Sequence, residues 1–173
     1  SDIDDTIRIT EILKGRATVL RNTFLKAFQA VEGMADRYLS YGKDVEFHYV
    51  SGGPWQLYRV LAPFLIDESR FPKGTFHMRN IPKNPLEEES WHAWRDMLTG
   101  ESTVDHKKNE IKALLEACPG RHLILIGDSG EKDPEIFEWI RNKYPGRIDE
   151  ILIRDVHNLP ESPRLKGMTI IPV

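Results

Sequence analysis

Asp2, Asp4, Asp5 and Thr6 crowd three carboxylates and a hydroxyl into the first six residues of the chain. Such carboxylates cannot share a dry site unless a cation or a proton neutralises them. In an extended strand alternate side chains share a face, so Asp2, Asp4 and Thr6 converge. Two converging carboxylates in differently tuned surroundings suit a nucleophile and a general acid. The same oxygens suit Mg²⁺, which takes one or two carboxylates, waters and substrate phosphate. Read alone, the run also fits a solvated acidic turn or a helix cap.

Three further clusters carry related chemistry. In Tyr49-Val50-Ser51-Gly52-Gly53-Pro54-Trp55 a hydroxyl at a strand end precedes glycines and a helix start. That combination offers an O–H and backbone N–H groups to an anion, with Ser51 and Gly52 as the phosphate-binding candidates. Ser51 as an ordinary helix cap fits the same residues. In His106-Lys107-Lys108, just ahead of an apolar stripe at Ile111, Leu114 and Leu115, a lysine would bring positive charge to a phosphate. Spacing alone leaves Lys107 and Lys108 both open. The strongest cluster is Ile126-Gly127-Asp128-Ser129-Gly130-Glu131-Lys132-Asp133-Pro134. Asp128 emerges there from an apolar strand and would complete a Mg²⁺ site begun by Asp2 and the backbone carbonyl of Asp4. Ser129 stands beside it as a supporting residue. Asp133 before Pro134 is a favoured helix start and suits a supporting role in the site as well. Glu131 faces either solvent or the site.

The elements that must position these residues alternate along the chain. Apolar spacing predicts helices over 17–28 and 32–41, the second stopped by Gly42. A strand over 45–50 leads into the turn at 51–54 and a helix that Pro63 kinks or ends. A strand at 75–78, a proline-spaced loop and a helix from Glu87 to Gly100 come next. The sharpest pattern follows: a helix through Ile111 and Leu115, an apolar strand at 122–126, a helix from Asp133, a strand at 150–153 ending at Arg154, and a last strand at 168–171. Such alternation indicates a parallel α/β sheet with right-handed crossovers. Ligands of these sheets bind beyond the carboxyl ends of the strands, where Asp2, Asp4, Ser51, Asp128 and Arg154 all fall.

The chain has 173 residues, 40% of them hydrophobic, and a net charge of −3. That suffices for one domain with its own core and gives no basic field for nucleic acid. Cys118 is the only cysteine, so no internal disulfide forms and a reducing compartment suits the chain. No apolar run approaches the ~20 residues that span a bilayer. Residues 8–29 carry five basic residues against one acidic, a local charge of +4, and read as a small basic and apolar flap. The acidic run begins at once after Ser1, so the sequence reads as an excised domain whose first strand is truncated.

In this order, Asp-x-Asp-x-Thr, a strand-end Ser, a Lys and Gly-Asp-x-x-x-x-Asp resemble the haloacid dehalogenase superfamily of phosphotransferases. SDIDDTI, FHYVSGGPWQLY, HKKNEI and LILIGDSGEKDPEIF resemble more closely the catalytic domain of the actin-patch family of Mg²⁺-dependent phosphatidate phosphatases. NTFLKAFQAVEGM and ILIRDV extend the resemblance over most of the chain. Gly53 departs from it, because members usually carry a small polar residue there. The resemblance implies a three-layer α/β/α Rossmann-like sheet with a small flap and no large cap domain. It implies Asp2 as nucleophile, Asp4 as general acid and base, and Mg²⁺ on Asp2, Asp128 and the Asp4 carbonyl. Ser51, Gly52, Lys107 and Thr6 would serve the phosphate, and Asp133, Ser129 and Arg154 would support. The expected substrate is phosphatidate or a close lipid phosphomonoester, met in the cytoplasm at a membrane surface. Trp55, Trp91 and Trp94 serve either as interfacial anchors there or as core residues. A soluble phosphomonoesterase acting on sugar phosphates, nucleotides or phosphopeptides is the alternative, and a phosphate- or lipid-binding module without turnover is the second. A phosphorylated receiver domain fits the acidic cluster and the lysine but not Thr6.

Overall fold

The computed structural model describes residues 1–3, 6–7, 29–80 and 101–171. Asp4, Asp5, the basic segment 8–28 and the stretch 81–100 lie outside them, and with these the helices expected at 17–28 and from Glu87, and Trp91 and Trp94.

The described strands pair in parallel. β1 (Phe47–Pro54) pairs with β2 (Gly74–Arg79). β3 (Leu123–Asp128), β4 (Ile148–Arg154) and β5 (Thr169–Ile171) form a second group in the order β3-β4-β5. Their apolar residues run nearly continuously, and Leu125, Ile126, Ile151, Leu152 and Ile153 are buried, as strands covered on both faces require. Ser1 and Asp2 stand between the two groups. The Val50 amide donates to the Ser1 carbonyl at 2.7 Å, the Asp2 amide donates to the Ile126 carbonyl at 2.8 Å, and Asp2 bridges Val50 in parallel.

Four helices complete the described fold. α1 (Met34–Leu39) buries Met34 and Tyr38 and gives way at Gly42, whose φ of 85° suits a residue without a Cβ. The Tyr38 ring meets Phe47 and Phe71, and its hydroxyl lies 2.5 Å from Ser1 Oγ. α2 (Tyr58–Pro63) follows a 3₁₀ turn at Trp55–Leu57. α3 (Glu101–Ala117) packs on β1 and on α4 (Asp133–Lys143), and α4 packs on β3 and β4. Ile111 and Leu115 of α3 meet Ile136, Phe137 and Ile140 of α4 in one buried cluster. No described helix is long and apolar enough to cross a membrane.

Two local expectations are corrected. Residues 51–54 are not a turn that opens a helix; they continue β1 to Pro54, which pairs with Arg79. Between Val50 and Pro54 the register shifts, and this bulge absorbs the two glycines that mimic a turn in sequence. As expected, the α-helical segment α2 ends at Pro63, and the chain runs on into a π turn at Phe64–Glu68, where the Ser69 amide donates to the Phe64 carbonyl at 2.8 Å. Proline lacks an N–H and crowds the carbonyl four residues back, so it ends the α-helical ladder there. Finally, α3 begins at Glu101, so His106, Lys107 and Lys108 sit inside it rather than ahead of it.

Candidate active site

Asp128 is the last residue of β3 and is fully buried. The amides of Gly130 and Glu131, just beyond the strand, both donate to its Oδ1, at 2.6 and 3.1 Å. Its Oδ2 is buried with no hydrogen-bond partner among the described residues. Asp133 comes from the first turn of α4, also fully buried. Lys132 holds the cap position, so the Asp133 carboxylate is not capping its helix but points back at the strand. Gly127 makes that approach feasible, because a Cβ there would collide with Asp133 Oδ2 and come within 2.7 Å of its Cβ. Asp2 enters from the strand-like segment between β1 and β3, with Thr6 donating to its Oδ2 at 3.3 Å.

Lys107 lies in line with Ile111 and Leu115 at successive turns of α3, all three buried. Its Nζ stands 2.7 Å from Asp2 Oδ1, 2.8 Å from Glu131 Oε2 and 2.6 Å from Asp133 Oδ1. The Asp2 contact is ionic rather than a well-aimed hydrogen bond, since Asp2 Oδ1 has no hydrogen-bond partner among the described residues. Burial alone would push the Lys107 ammonium down, but Asp133, Asp2 and Glu131 outweigh it and hold it well above the ordinary lysine value. Burial pushes the carboxyls of Asp2 and Asp128 well above the ordinary aspartate value, and neighbouring carboxylates add to the shift.

Four carboxylates therefore face one ammonium. Oxygens of Asp2, Asp128 and Asp133 lie within 4.8 Å of one another. This donor set is hard, all-oxygen and in excess of negative charge, and it includes an orphaned buried oxygen on Asp128. Those are the properties that hold a divalent cation such as Mg²⁺.

The remaining sequence-predicted residues fall as follows. Asp4 lies outside the described residues. Ser51 is buried one residue beyond the Asp2–Val50 bridge, and its Oγ accepts the Gly53 amide at 3.0 Å, so that amide does not face outward for an anion. Gly52 lies close under α3, where an added Cβ would come within 2.6 Å of Thr103. The Ser129 hydroxyl donates to Asp155 Oδ1 at 2.8 Å, which directs it away from the carboxylates. Arg154 is buried and stands in register with Asp128 on β4. Lys108 lies outside the cluster, 4.9 Å above the exposed Trp139 ring. Trp55 is at the surface, 39% exposed, beside the likewise exposed Tyr58.

Sequence reasoning left Glu131 undecided and missed Arg164 and Asp155. Glu131 turns inward to Lys107. Arg164, in the 3₁₀ turn Pro163–Leu165, donates to the Ser129 carbonyl at 3.0 Å and the Glu131 carbonyl at 2.7 Å. Asp155 accepts from Ser129 Oγ and from the amides of His157 and Leu159. Arg164 has no local signal, because the fold alone brings its partners to it, whereas Asp155 also holds amides two and four residues on, a turn pattern that an Asp after a strand offers.

Residues 1–155 match the family described as the catalytic domain of phosphatidate phosphatase APP1. The chain is 32% identical over 162 residues to phosphatidate phosphatase APP1 of Saccharomyces cerevisiae, covering 91% of this chain and 26% of that protein. It is 28% identical over 162 residues to an uncharacterized protein of Schizosaccharomyces pombe, covering 90% and 24%. The chain thus spans about a quarter of the length of these curated relatives. No solved structure matches it.

Proposed function

The chain belongs to the phosphatidate phosphatase APP1 catalytic-domain family, and from that premise we propose that it hydrolyses phosphatidate, or a close lipid phosphomonoester, to diacylglycerol and phosphate with Mg²⁺ as cofactor. The observation that carries the reading is the buried cluster of Asp2, Asp128 and Asp133 around Lys107, within the residues that the family matches. The parallel strands support a haloacid dehalogenase-like sheet in three α/β/α layers, with residues 8–29 as a small flap.

In this mechanism a carboxylate oxygen of Asp2 attacks phosphorus in line, and the bond from phosphorus to the glycerol oxygen breaks. Asp4 protonates the departing alkoxide. Asp4 then takes a proton from water, which attacks the aspartyl-phosphate, releases phosphate and restores the Asp2 carboxylate. Lys107 stays charged and balances the growing negative charge beside Asp2, with Asp133 and Glu131 holding its ammonium. Ser51 donates to a phosphate oxygen. Mg²⁺, held by Asp2, Asp128 and the Asp4 carbonyl, would supply electrostatic stabilisation of the phosphoryl oxygens. The exposed Trp55 and Tyr58 suit contact with a lipid surface.

Phosphate release from phosphatidate in mixed micelles, and from a panel of soluble monoesters, tests the proposal with Mg²⁺ or EDTA. The expected result is Mg²⁺-dependent release from phosphatidate that Asp2→Asn abolishes while circular dichroism stays unchanged. Release from soluble esters alone retires the lipid substrate and keeps the chemistry. A folded protein that binds Mg²⁺ and turns over nothing is a binding module.

A further inference from the structure

Arg164 lies beyond residues 1–155, where the family match ends. Its place is fixed locally. Pro163 opens the 3₁₀ turn, the Leu165 amide donates to the Ser162 carbonyl at 2.9 Å, and Leu165 is buried among Ile136, Ile140 and Ile153. From that anchor the guanidinium makes four contacts. Nε and Nη2 fork onto the Glu135 carboxylate at 2.6 and 2.9 Å, Nη1 donates to the Ser129 carbonyl, and Nη2 donates to the Glu131 carbonyl.

These contacts bear on Asp128 through the geometry of one peptide. The Ser129 carbonyl and the Gly130 amide belong to the same planar trans unit and point in opposite directions. Arg164 holds the carbonyl side, and the Gly130 amide on the other side donates to Asp128 Oδ1 at 2.6 Å. We infer that Arg164 is a positioning residue that sets the orientation of the Asp128 carboxylate, keeping Oδ1 on the loop amides and Oδ2 turned toward the cation site. The inference rests on the metal-site reading above. By gripping the Glu131 carbonyl, Arg164 also fixes the residue whose carboxylate meets Lys107. Its fork on Glu135 ties the loop to the first turn of α4, from which Asp133 projects. Arg164 and Glu135 are 36% and 44% exposed. Ion pairs that open to solvent contribute little to global stability, so the role that remains is local. Lysine can substitute for it only in part, because a point charge does not reach all of these acceptors at once.

The test uses Mn²⁺ as a paramagnetic divalent probe, followed by electron paramagnetic resonance, together with amide hydrogen exchange of the metal-free chain. Wild type, Arg164→Ala, Arg164→Lys and Asp128→Asn are compared with Arg141→Ala, which removes the other arginine tied to this segment, through the Gly167 carbonyl. Loss of a group that orients a metal ligand typically costs 10–100-fold in affinity, so Arg164→Ala is expected to weaken Mn²⁺ by about that much. The Gly130 amide should exchange at least about tenfold faster, while the amides of β3 and β4 stay protected. Arg164→Lys should fall between and carries the test should the alanine variant not fold. Wild-type affinity and a slow Gly130 amide in both variants, with Mn²⁺ lost in Asp128→Asn, would overturn the inference and leave the metal site standing. Faster exchange throughout β3 and β4 would assign Arg164 to general stability and overturn it too. A wild-type protein that binds no Mn²⁺ overturns the site reading and this inference with it.

Discussion

Lys107 occupies a position on α3 that its neighbours one and two turns on fill with Ile111 and Leu115. Burying an ammonium costs several kcal/mol unless partners replace its hydration, and here three carboxylate oxygens within 2.8 Å do so. The lysine does not balance the whole cluster, so Asp2 and Asp128 hold protons more tightly in the fold than they would in a loose chain. For an acid whose folded value is raised, the folded state binds more protons than the unfolded one above the ordinary value of 3.8. Metal-free stability therefore falls as pH rises through the window that starts there. A divalent cation favours the ionised carboxylates and should reverse the penalty. Melting temperatures in EDTA and in excess Mg²⁺, recorded from pH 5 to 8, should show a Mg²⁺ increment that grows with pH. An increment independent of pH would count against the cluster as the binding site. The residue types of this site were open to view in sequence, since an apolar run that ends in Gly-Asp announces Asp128. The setting of Lys107 was not, because a lysine on a buried helical stripe looks in sequence like a solvated one.

At the scale of elements, the end of β3 and the start of α4 are locked through Gly127. An added methyl would meet Asp133 Oδ2, Cβ and Cγ, and the Asp133 carboxylate cannot yield without leaving Lys107. Gly127→Ala should cost about 1–3 kcal/mol, the range for overpacking a tight site. It should also lower phosphate release more than that loss of fold explains. Gly120→Ala, where nothing lies within 4 Å, is the matched control and should leave both unchanged. Equal behaviour of the two variants, measured by urea unfolding and turnover, would refute the lock. Both elements were legible in the chain: a strand from its apolar run, a helix from Asp-Pro followed by Ile136, Phe137 and Ile140 at helical spacing. The path of β1 was not. Ser-Gly-Gly-Pro is a turn by local chemistry, and only pairing of Pro54 with Arg79, across the intervening helices, draws it into the sheet. Arg164 was invisible for the same reason, since its bonds reach residues 29 to 35 positions away.

For the whole molecule, Ser1 and Asp2 join the two groups of parallel strands through backbone hydrogen bonds, side chains of both groups share one buried cluster, and beside that junction lies a slot of about 460 Å³. Residues 47 and 48 of β1 line one side, residues 123–126 of β3 the other, and Tyr38, Leu114 and Phe137 lie along it. Asp2 bridges Val50 in parallel, and its amide donates to the Ile126 carbonyl, two residues short of Asp128 on β3. Both groups of strands therefore hold the backbone that carries the Asp2 carboxylate. The spacing of Asp2 and Asp128 is set by strand pairing rather than by a loop, as a site built on rigid elements requires.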